Sequence, residues 1–465
     1  MKKNFENVKY EADHLEKYNP FPFAKNANNN RVYGEIYLDE VVYFGESDGG
    51  QIRISASLVN EQMLNMEYEA REREDTPLFF YEFCGEMSFD SKVDLIKWEM
   101  LYSSEGGKDN IYAIQIIDAE ESEVSVEERL REYRDQVAFE GEITFSASPV
   151  LSHRVIIVVE DLAKKTDNEA YKKLIATYDV WDNNIKSKCV YDQKKILSEL
   201  DVLFDDKVKS REIRIYNVGQ ANCCYCDLTT KKIFFDIGVS RSGVAIETPV
   251  IQQAVQEIST LDVDAVILSH WDLDHILGVC YNENCLKQKI WIVPDFEKMY
   301  SKPRVSIKRV CNYLIRNGKS ELFMVDTSAN NKLFYESCNK AVTIYMGELR
   351  ASHCVNKMNN GGLLLKLENK KNILMPGDCE NQVIQNVTVS SQYDNVLVPH
   401  HGAVMSKPTL WGKKGKKNSA YISCGEITGH CNLDSGIVNK YKANGFIRVR
   451  NTKNLTVNNK FRIRL

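Results

Sequence analysis

Three short apolar runs of this chain each end directly in side chains that bind metal ions. The run 266–268 leads into SHWDLDH, the run 373–376 leads into Gly-Asp, and the run 396–399 leads into His-His-Gly. Such runs are typical of buried strands, and a rigid strand end can hold a side chain as closely as a metal site requires. The sequence therefore predicts that three strand ends converge on one metal centre. The candidate ligands are His270, Asp272, Asp274, His275, Asp378 and His400, with His401 beside them.

The density of these groups supports a metal site. A single histidine after a strand is more often a buried structural residue than a ligand. Here four imidazole or carboxylate groups occur within the six residues 270–275, and four of the eight histidines of the chain lie in the three segments. This concentration favours a metal centre over separate structural histidines.

The spacing H-x-D-x-D-H can serve two ions. An extended start places His270 and Asp272 on one side, whereas Asp274 and His275 lie at the turn into a helix and face a second ion. The carboxylates of Asp272, Asp274 and Asp378, with one hydroxide, neutralise two divalent ions. Because metal binding lowers the pKa of water to about 7, we expect a metal-bound hydroxide near neutral pH. The predicted cofactors are two divalent ions, zinc or manganese.

The motifs resemble those of the metallo-β-lactamase fold superfamily over about residues 211–465. VGQAN and FFDIG match its opening strands, with Asp236 as an early structural aspartate, and SHWDLDHILG, MPGD and PHHG match its metal-binding motifs. The closest branch is similar to the hydrolase domain of ComEC-type competence proteins and related choline-phosphate esterases. The resemblance implies an αββα sandwich and a bacterial hydrolase. We expect catalytic roles for Asp274, as a ligand that orients the hydroxide, and for His401.

The sequence departs from that pattern at the middle histidine ligand. His353 is the only histidine between the first segment and Gly-Asp, and it has no clear motif around it. Asn359 or Asn360 stands where the competence branch has asparagine, which makes Asn360 a candidate substrate contact. His430 corresponds to a substrate-side histidine of that branch. One metal site is therefore expected to be weakly held, and Asp272 in place of an imidazole favours manganese beside zinc.

The charge of the chain is distributed unevenly. Residues 1–200 contain 24 basic and 40 acidic residues, whereas residues 401–465 contain 13 basic and 2 acidic ones. Basic segments attract phosphate groups, and Lys413 and Lys414 follow His-His-Gly closely enough to be candidate substrate contacts. We expect a phosphate-bearing substrate, such as a nucleic acid or nucleotide. One alternative is that these lysines lie on a solvated loop with no ligand. Another is that the basic C-terminal end offsets the charge of the acidic N-terminal half of the same chain. The acidic half also offers a surface to a protein partner.

Composition and patterning predict two domains. Residues 1–205 contain alternating β-type runs and form a β-rich α+β domain of unknown role, and residues 206–465 alternate strands with helices as an α/β domain. A net charge of −5 and 43% hydrophobic residues exclude a fibrous or disordered chain. Without an apolar stretch of about 18 residues, a cytoplasmic protein with no membrane contact is expected. The 13 cysteines, including Cys223, Cys224 and Cys226, are predicted to be reduced and mostly buried.

The leading functional hypothesis is a metal-dependent hydrolase, most simply a phosphodiesterase or nuclease. Two ions can stabilise both the entering and the leaving oxygen of an in-line phosphoryl displacement. The alternative is a scaffold or recognition protein of the same fold that has lost turnover, since the middle histidine has no clear counterpart. Bound metal distinguishes the two hypotheses.

Overall fold

The computed structural model shows two compact units, one formed by residues up to Asn183 with 304–313 and one by 184–303 with 314–465. The predicted domain limits, 1–205 and 206–465, stay a prediction. The residues that the structure describes are 31–43, 48–71, 73, 82–103, 111–118, 137–145, 152–165, 167–205, 207–239, 248–281, 287–299, 305–328, 332–348, 357–388, 390, 392–403, 407–413, 417–425, 436–455 and 459–465.

The described strands and helices are numbered along the chain. The strands are β1 Arg31–Tyr43, β2 Asp48–Asn60, β3 Glu82–Ser91, β4 Ile111–Asp118, β5 Val137–Phe145, β6 Ser152–Asp161, β7 Ser210–Tyr216, β8 Cys223–Leu228, β9 Lys232–Ile237, β10 Ala265–Ile267, β11 Ile290–Pro294, β12 Glu321–Val325, β13 Leu333–Glu336, β14 Val342–Met346, β15 Leu363–Glu368, β16 Asn372–Met375, β17 Gln392–Tyr393, β18 Asn395–Leu397, β19 Trp411–Gly412, β20 Ser419–Ile422, β21 Arg448–Asn451 and β22 Lys460–Arg464. The helices are α1 Glu61–Ala70, α2 Lys92–Ser103, α3 Glu169–Lys188, α4 Gln193–Leu203, α5 Pro249–Ile258, α6 Leu273–Ile276, α7 Phe296–Met299, α8 Val305–Arg316, α9 Lys357–Asn360, α10 Asn381–Val387 and α11 Ile437–Ala443.

The first unit is built on a closed antiparallel barrel with the strand order β1-β2-β3-β5-β6-β4. This agrees with the alternating pattern of the N-terminal sequence. Arg309 on α8 is buried, and its Nε lies 2.6 Å from Glu67 Oε1 on α1. Its Nη1 lies 3.1 Å from the hydroxyl of Ser57 on β2. A buried arginine needs such partners because an unpaired buried charge is costly. Arg309 therefore links helix α8 to helix α1 and strand β2 of the barrel.

The second unit is a sandwich of two seven-stranded sheets. Their strand orders are β12-β11-β10-β9-β8-β7-β22 and β13-β14-β15-β16-β18-β20-β21. Apolar side chains from both sheets, such as Phe235 and Leu365, form one buried cluster, which also takes in Leu200 of α4. Helices α10 and α11 cover the outer face of the second sheet through residues such as Ile384 and Tyr441. Helix α5, with four buried apolar residues, connects the parallel strands β9 and β10. The predicted αββα sandwich is confirmed.

Parallel strands bring distant parts of the sequence to the same end of the sandwich. In the first sheet β9, β10 and β11 run parallel, and in the second sheet β16, β18, β20 and β21 do. The carboxyl ends of parallel strands lie at one edge of a sheet, where α/β proteins usually bind ligands. The three motifs of the sequence analysis follow β10, β16 and β18, so the fold carries them to this edge.

The cysteine cluster is structural. Cys223, Cys224 and Cys226 lie on β8, are buried and form no disulfide. Burial raises the pKa of the Cys224 and Cys226 thiols, which keeps them protonated and unreactive. Within the described ranges no cysteine takes part in a metal-type cluster. A search of the same ranges for a helix long and apolar enough to cross a membrane finds none.

Candidate metal centre

The first ligand segment changes from extended chain to helix at Asp272. Asp272 has extended backbone angles (φ −69°, ψ 145°) and precedes α6, and the His275 backbone N–H donates to the Asp272 carbonyl at 2.9 Å. His270 and Asp272 therefore lie on the extended part, and Asp274 and His275 lie on the first helical turn. The sequence spacing predicts this arrangement, in which His270 and Asp272 face one position and Asp274 and His275 face another.

Asp236 orients His275 from behind. Its carboxylate lies 2.8 Å from His275 Nδ1 and accepts from the Ser269 backbone N–H at 2.6 Å and the Ser269 hydroxyl at 2.9 Å. Because a carboxylate only accepts, His275 Nδ1 carries the proton and Nε2 keeps its lone pair for a metal ion. The hydroxyl of Ser269 also lies 3.0 Å from His270 Nδ1, so Ser269 helps to orient the His270 ring as well.

Replacing Asp236 with asparagine is expected to weaken metal binding about 10- to 100-fold, the usual cost of losing a partner that orients a ligand. Competition with a fluorescent chelator measures the affinity. Asp264→Asn is the control, because Asp264 accepts a hydrogen bond from the backbone N–H of Lys232, the first residue of strand β9 in the same sheet. If Asp236→Asn binds metal as tightly as the unaltered chain, Asp236 does not orient His275.

Four ligand atoms form the tightest group. One atom each from Asp274, His275, Asp378 and His401 lies within 4.8 Å of all the others. His401 Nε2 lies 3.1 Å from Asp274 Oδ2, and His275 Nε2 lies 3.2 Å from Asp378 Oδ1. Two carboxylates and two imidazoles match the donor set that zinc and other first-row divalent ions prefer.

A second group gathers around the other oxygen of Asp378. Asp378 Oδ2 lies 3.8 Å from His400 Nε2 and 3.9 Å from His270 Nε2. His270 Nε2 in turn lies 3.4 Å from Asp272 Oδ2. The carboxylate of Asp378 thus lies among all four histidines, with His275 facing Oδ1 and with His270, His400 and also His401, at 3.9 Å, facing Oδ2. All six predicted ligands and His401 are brought together.

The His-His-Gly turn has an unusual backbone. His400 and His401 have positive φ values of 50° and 53°, and Gly402 follows with 79°. Left-handed backbone at non-glycine residues costs of order 1 kcal/mol or more and is concentrated at functional sites. The turn directs both rings inward, and His401 Nδ1 donates to the Ser423 carbonyl at 2.9 Å, which leaves Nε2 available on the side of Asp274.

The carboxylates and imidazoles of the buried centre shift one another's pKa values. Burial alone lowers the pKa of His275, but the carboxylates of Asp378 and Asp236 outweigh it and raise that pKa well above its usual value. Burial raises the pKa of Asp378, yet His275, His401 and His400 outweigh it and hold that pKa well below the usual range. The charges favour a positive group at this place, which a proton or a metal ion can supply.

Unsatisfied buried atoms show that a metal ion fits. His270 Nε2, His275 Nε2 and Asp378 Oδ1 are buried and form no hydrogen bond of normal geometry with the described residues. Buried polar atoms almost always have a partner, and these three point into the same small space. The site is open on one side, since Asp272 and His400 keep 24% and 30% of their side-chain surface exposed.

The structure describes two of the four predicted substrate contacts, Asn360 and Lys413. The Asn360 side chain is buried and exchanges hydrogen bonds with Glu380, whose backbone N–H donates to Asn360 Oδ1 at 2.8 Å. Lys413 Nζ lies 2.9 Å from the buried Asp394, directly before β18, so it is at the start of the strand whose end carries His400. Substrate contact by Asn360 and Lys413 stays a prediction. The predicted Lys414 and His430, and the alternative ligand His353, lie outside the described residues.

Tertiary contacts add residues that the motifs did not single out. Ser269 links Asp236 to both first-segment histidines, and Ser423 fixes the ring of His401. Gly238 lies so close to the backbone of Asp274 that an added Cβ would be 1.7 Å from the Asp274 carbonyl oxygen. Ser269 could have been identified from the sequence because it directly precedes His270. No feature of the neighbouring sequence indicated that Ser423 contacts the site.

Comparisons with models of protein families and with curated proteins found no match. Among solved structures, the chain is similar to the diiron β-hydroxylase CmlA from Streptomyces venezuelae (12% identity over 55% of this chain and 54% of CmlA, TM-score 0.32), so it spans about half the length of that protein. It is also similar to a diphosphatase from the PhnP family (10% identity, 55% of this chain and 98% of that one, TM-score 0.31). A further neighbour is MEM-A1, a subclass B3 metallo-β-lactamase from a soil metagenome library (12% identity, 35% and 61% coverage, TM-score 0.19).

Proposed function

We propose that this chain is a metal-dependent hydrolase of the metallo-β-lactamase superfamily that cleaves phosphodiesters and holds two divalent ions. The observation that carries the proposal is the arrangement of donors about Asp378. One oxygen faces His275 at 3.2 Å, and the other faces His400 at 3.8 Å and both His270 and His401 at 3.9 Å. A carboxylate between two donor sets is suited to bridging two ions.

Each ion would have its own set of ligands. His270, Asp272 and His400 would hold the first ion, and Asp274, His275 and His401 would hold the second, with Asp378 available to both. The middle histidine ligand of the superfamily has no clear counterpart in the sequence, and His400 would supply an imidazole to the first site from a different loop. Each site thus offers two carboxylates and two imidazoles, a donor set that suits zinc and manganese alike.

Bound divalent ions would supply Lewis acidity and lower the pKa of a coordinated water, which provides a nucleophile near neutral pH. The chain orients the ligands that make this chemistry available. Asp236 and Ser423 fix the tautomers of His275 and His401, and Asp274, with 18% of its side chain exposed, lies at the boundary between the buried ligands and solvent. A carboxylate in that position can orient the attacking water.

Two divalent ions favour phosphoryl transfer over other hydrolyses. With Asp272, Asp274, Asp378 and one hydroxide the centre would be neutral, so its net charge does not select the substrate. Two ions would instead stabilise both the entering and the leaving oxygen of an in-line phosphoryl displacement. The motif resemblance to the ComEC-type branch supports the same class.

Metal analysis and turnover together test the proposal. We expect about two ions per chain, and hydrolysis of bis(p-nitrophenyl) phosphate that is lost on chelation and restored by manganese or zinc. The alternative function, a scaffold of this fold without turnover, would be favoured by a metal-free chain whose stability does not change when zinc or manganese is added.

Asp274→Ala is expected to abolish phosphodiester hydrolysis while the fold persists. The change removes a partly exposed ligand that also orients the attacking water, so a loss of about 100-fold or more is expected. Rates are compared at verified metal content. Asp201→Ala, on the exposed side of α4 in the same unit, is the control and should retain full activity. Full activity in the Asp274 variant would place the chemistry elsewhere.

A further inference from the structure

Asn222 carries a buried amide that has no hydrogen-bond partner among the described residues. The residue is fully buried, and both its Oδ1 and its Nδ2 lack a partner. Buried polar side-chain atoms almost always have one, and the exceptions indicate a catalytic role, a bound ion or an ordered water. The position of this amide in the sandwich decides between these explanations.

The strand register directs the Asn222 side chain into the sandwich. Cys223, the first residue of β8, pairs with Ile237 of β9. The Gly238 backbone N–H donates to the Asn222 carbonyl at 2.7 Å, so Asn222 continues the same ladder. Side chains alternate along a strand, and Cys224, two residues further on, belongs to the buried cluster between the two sheets. Asn222 therefore faces the same interior, beside the end of β9.

Short contacts tie Asn222 to two proposed ligands of the second ion. The Asn222 backbone N–H donates to the Asp274 carbonyl at 3.1 Å, and Asp274 Oδ2 lies 3.1 Å from His401 Nε2. His401 Nδ1 donates to the Ser423 carbonyl at 2.9 Å, and the Ser423 hydroxyl donates to the Ala221 carbonyl at 2.6 Å. Because Ala221 directly precedes Asn222, these contacts form a closed circuit. The unpaired amide thus belongs to the structure around Asp274 and His401.

We infer that Asn222 Oδ1 is an additional ligand of the second ion and raises the affinity of its site for manganese relative to zinc. The inference rests on the proposed metal-dependent function and refines its metal requirement. A carbonyl oxygen is a hard donor that suits manganese. A site with this oxygen has three oxygen and two nitrogen donors, from Asp274, Asp378 and Asn222 and from His275 and His401. Five ligands no longer match the tetrahedral geometry that zinc usually takes.

The test compares the manganese and zinc affinities of full-chain variants. Asn222→Leu removes both polar atoms at nearly the same size, whereas Asn222→Asp keeps an oxygen donor and adds a negative charge. The matched control is Asn217→Leu, because Asn217 is also buried, lies in the same loop between β7 and β8, and has its Oδ1 3.5 Å from the Gly219 backbone nitrogen. Competition with a fluorescent chelator gives the affinity for each metal. Thermal unfolding of the metal-free chain gives the effect on the fold.

We expect Asn222→Leu to lower the manganese affinity about 10- to 100-fold, the usual cost of losing a supporting group at a metal site, and to leave the zinc affinity nearly unchanged. Its metal-free melting temperature should stay the same or rise, because an unpaired buried amide is replaced by an apolar group of similar shape. Asn222→Asp should bind manganese at least as tightly as the unaltered chain, since it keeps the oxygen. Asn217→Leu should keep the ratio of the two affinities.

Three results would overturn the inference. They are equal losses of manganese and zinc affinity in Asn222→Leu, an equal loss of manganese affinity in the Asn217→Leu control, and manganese binding by Asn222→Asp that is as weak as in Asn222→Leu. The last would assign the role to the amide N–H and not to Oδ1.

The same measurements separate this inference from the proposed function. A chain that binds neither manganese nor zinc would remove both. A chain whose manganese affinity depends on Asn222, but which cleaves no bis(p-nitrophenyl) phosphate with either metal, would support Asn222 as a ligand and remove the proposed hydrolase function.

Discussion

Replacing Asp378 with alanine is expected to remove both ions and to lower phosphodiester hydrolysis by at least about 100-fold. Asp378 is buried, and its oxygens face different ligands, with His275 at 3.2 Å from Oδ1 and His400 at 3.8 Å from Oδ2. In the proposed assignment Asp378 alone is available to both ions, so the loss of any other ligand leaves one ion with its full set. Elemental analysis of the purified variant should find well below one ion per chain.

Two variants separate the metal role of Asp378 from a purely structural one. Asp378→Asn keeps the shape and removes the charge, and should retain a small part of the metal. Asp394→Asn alters another buried aspartate of the same sheet, which pairs with Lys413 at 2.9 Å; it should lower the melting temperature and leave the metal content unchanged. Normal metal content in Asp378→Ala would refute the shared carboxylate.

Gly238→Ala is expected to destabilise the chain by about 3 kcal/mol and to lower metal affinity as well. Its added Cβ would lie 1.7 Å from the Asp274 carbonyl oxygen and 2.7 Å from that of Asn222. Both are backbone atoms, and both belong to the hydrogen bonds Asn222 N–H to Asp274 O and Gly238 N–H to Asn222 O, at 3.1 and 2.7 Å. The overlap therefore displaces the loop that carries Asp274. Thermal unfolding measures the loss of stability, and competition with a chelator measures the loss of metal affinity.

Gly445→Ala is the matched control for this prediction. Gly445 has a positive φ of 86°, but its added Cβ meets only atoms at ordinary contact distance, the nearest at 3.6 Å. It should cost about 1 to 2 kcal/mol through backbone strain alone and leave the metal affinity unchanged. An equal loss of metal affinity in both variants would mean that general destabilisation, and not displacement of Asp274, causes it.

The residues of the centre could be predicted because their signal is local. An apolar run of three or four residues predicts a buried strand, and the groups directly after it, such as His270, Asp378 and His400, need no distant information to be noticed. The change from extended chain to helix at Asp272 also follows from short-range spacing. The layered α/β class follows from the alternation of strands and helices in the same way.

The position of Lys413 required the fold. Lys413 lies 13 residues after His400 in sequence, yet it pairs with Asp394 at the opposite end of β18, because the chain returns along the strand before β20 begins. Closeness in sequence says little about which end of a strand a loop occupies.

The sequence by itself determined which side chains are available for metal binding, because strand-forming runs and ligand spacing are properties of a few neighbouring residues. Only the tertiary structure decided how they are shared. The contacts of Asp236 with His275, of Asp378 with His275 and of Ser423 with His401 join residues 39, 103 and 22 positions apart in sequence. Such contacts depend on strand order and register, which are set by packing of the two sheets over a common core and not by any local pattern.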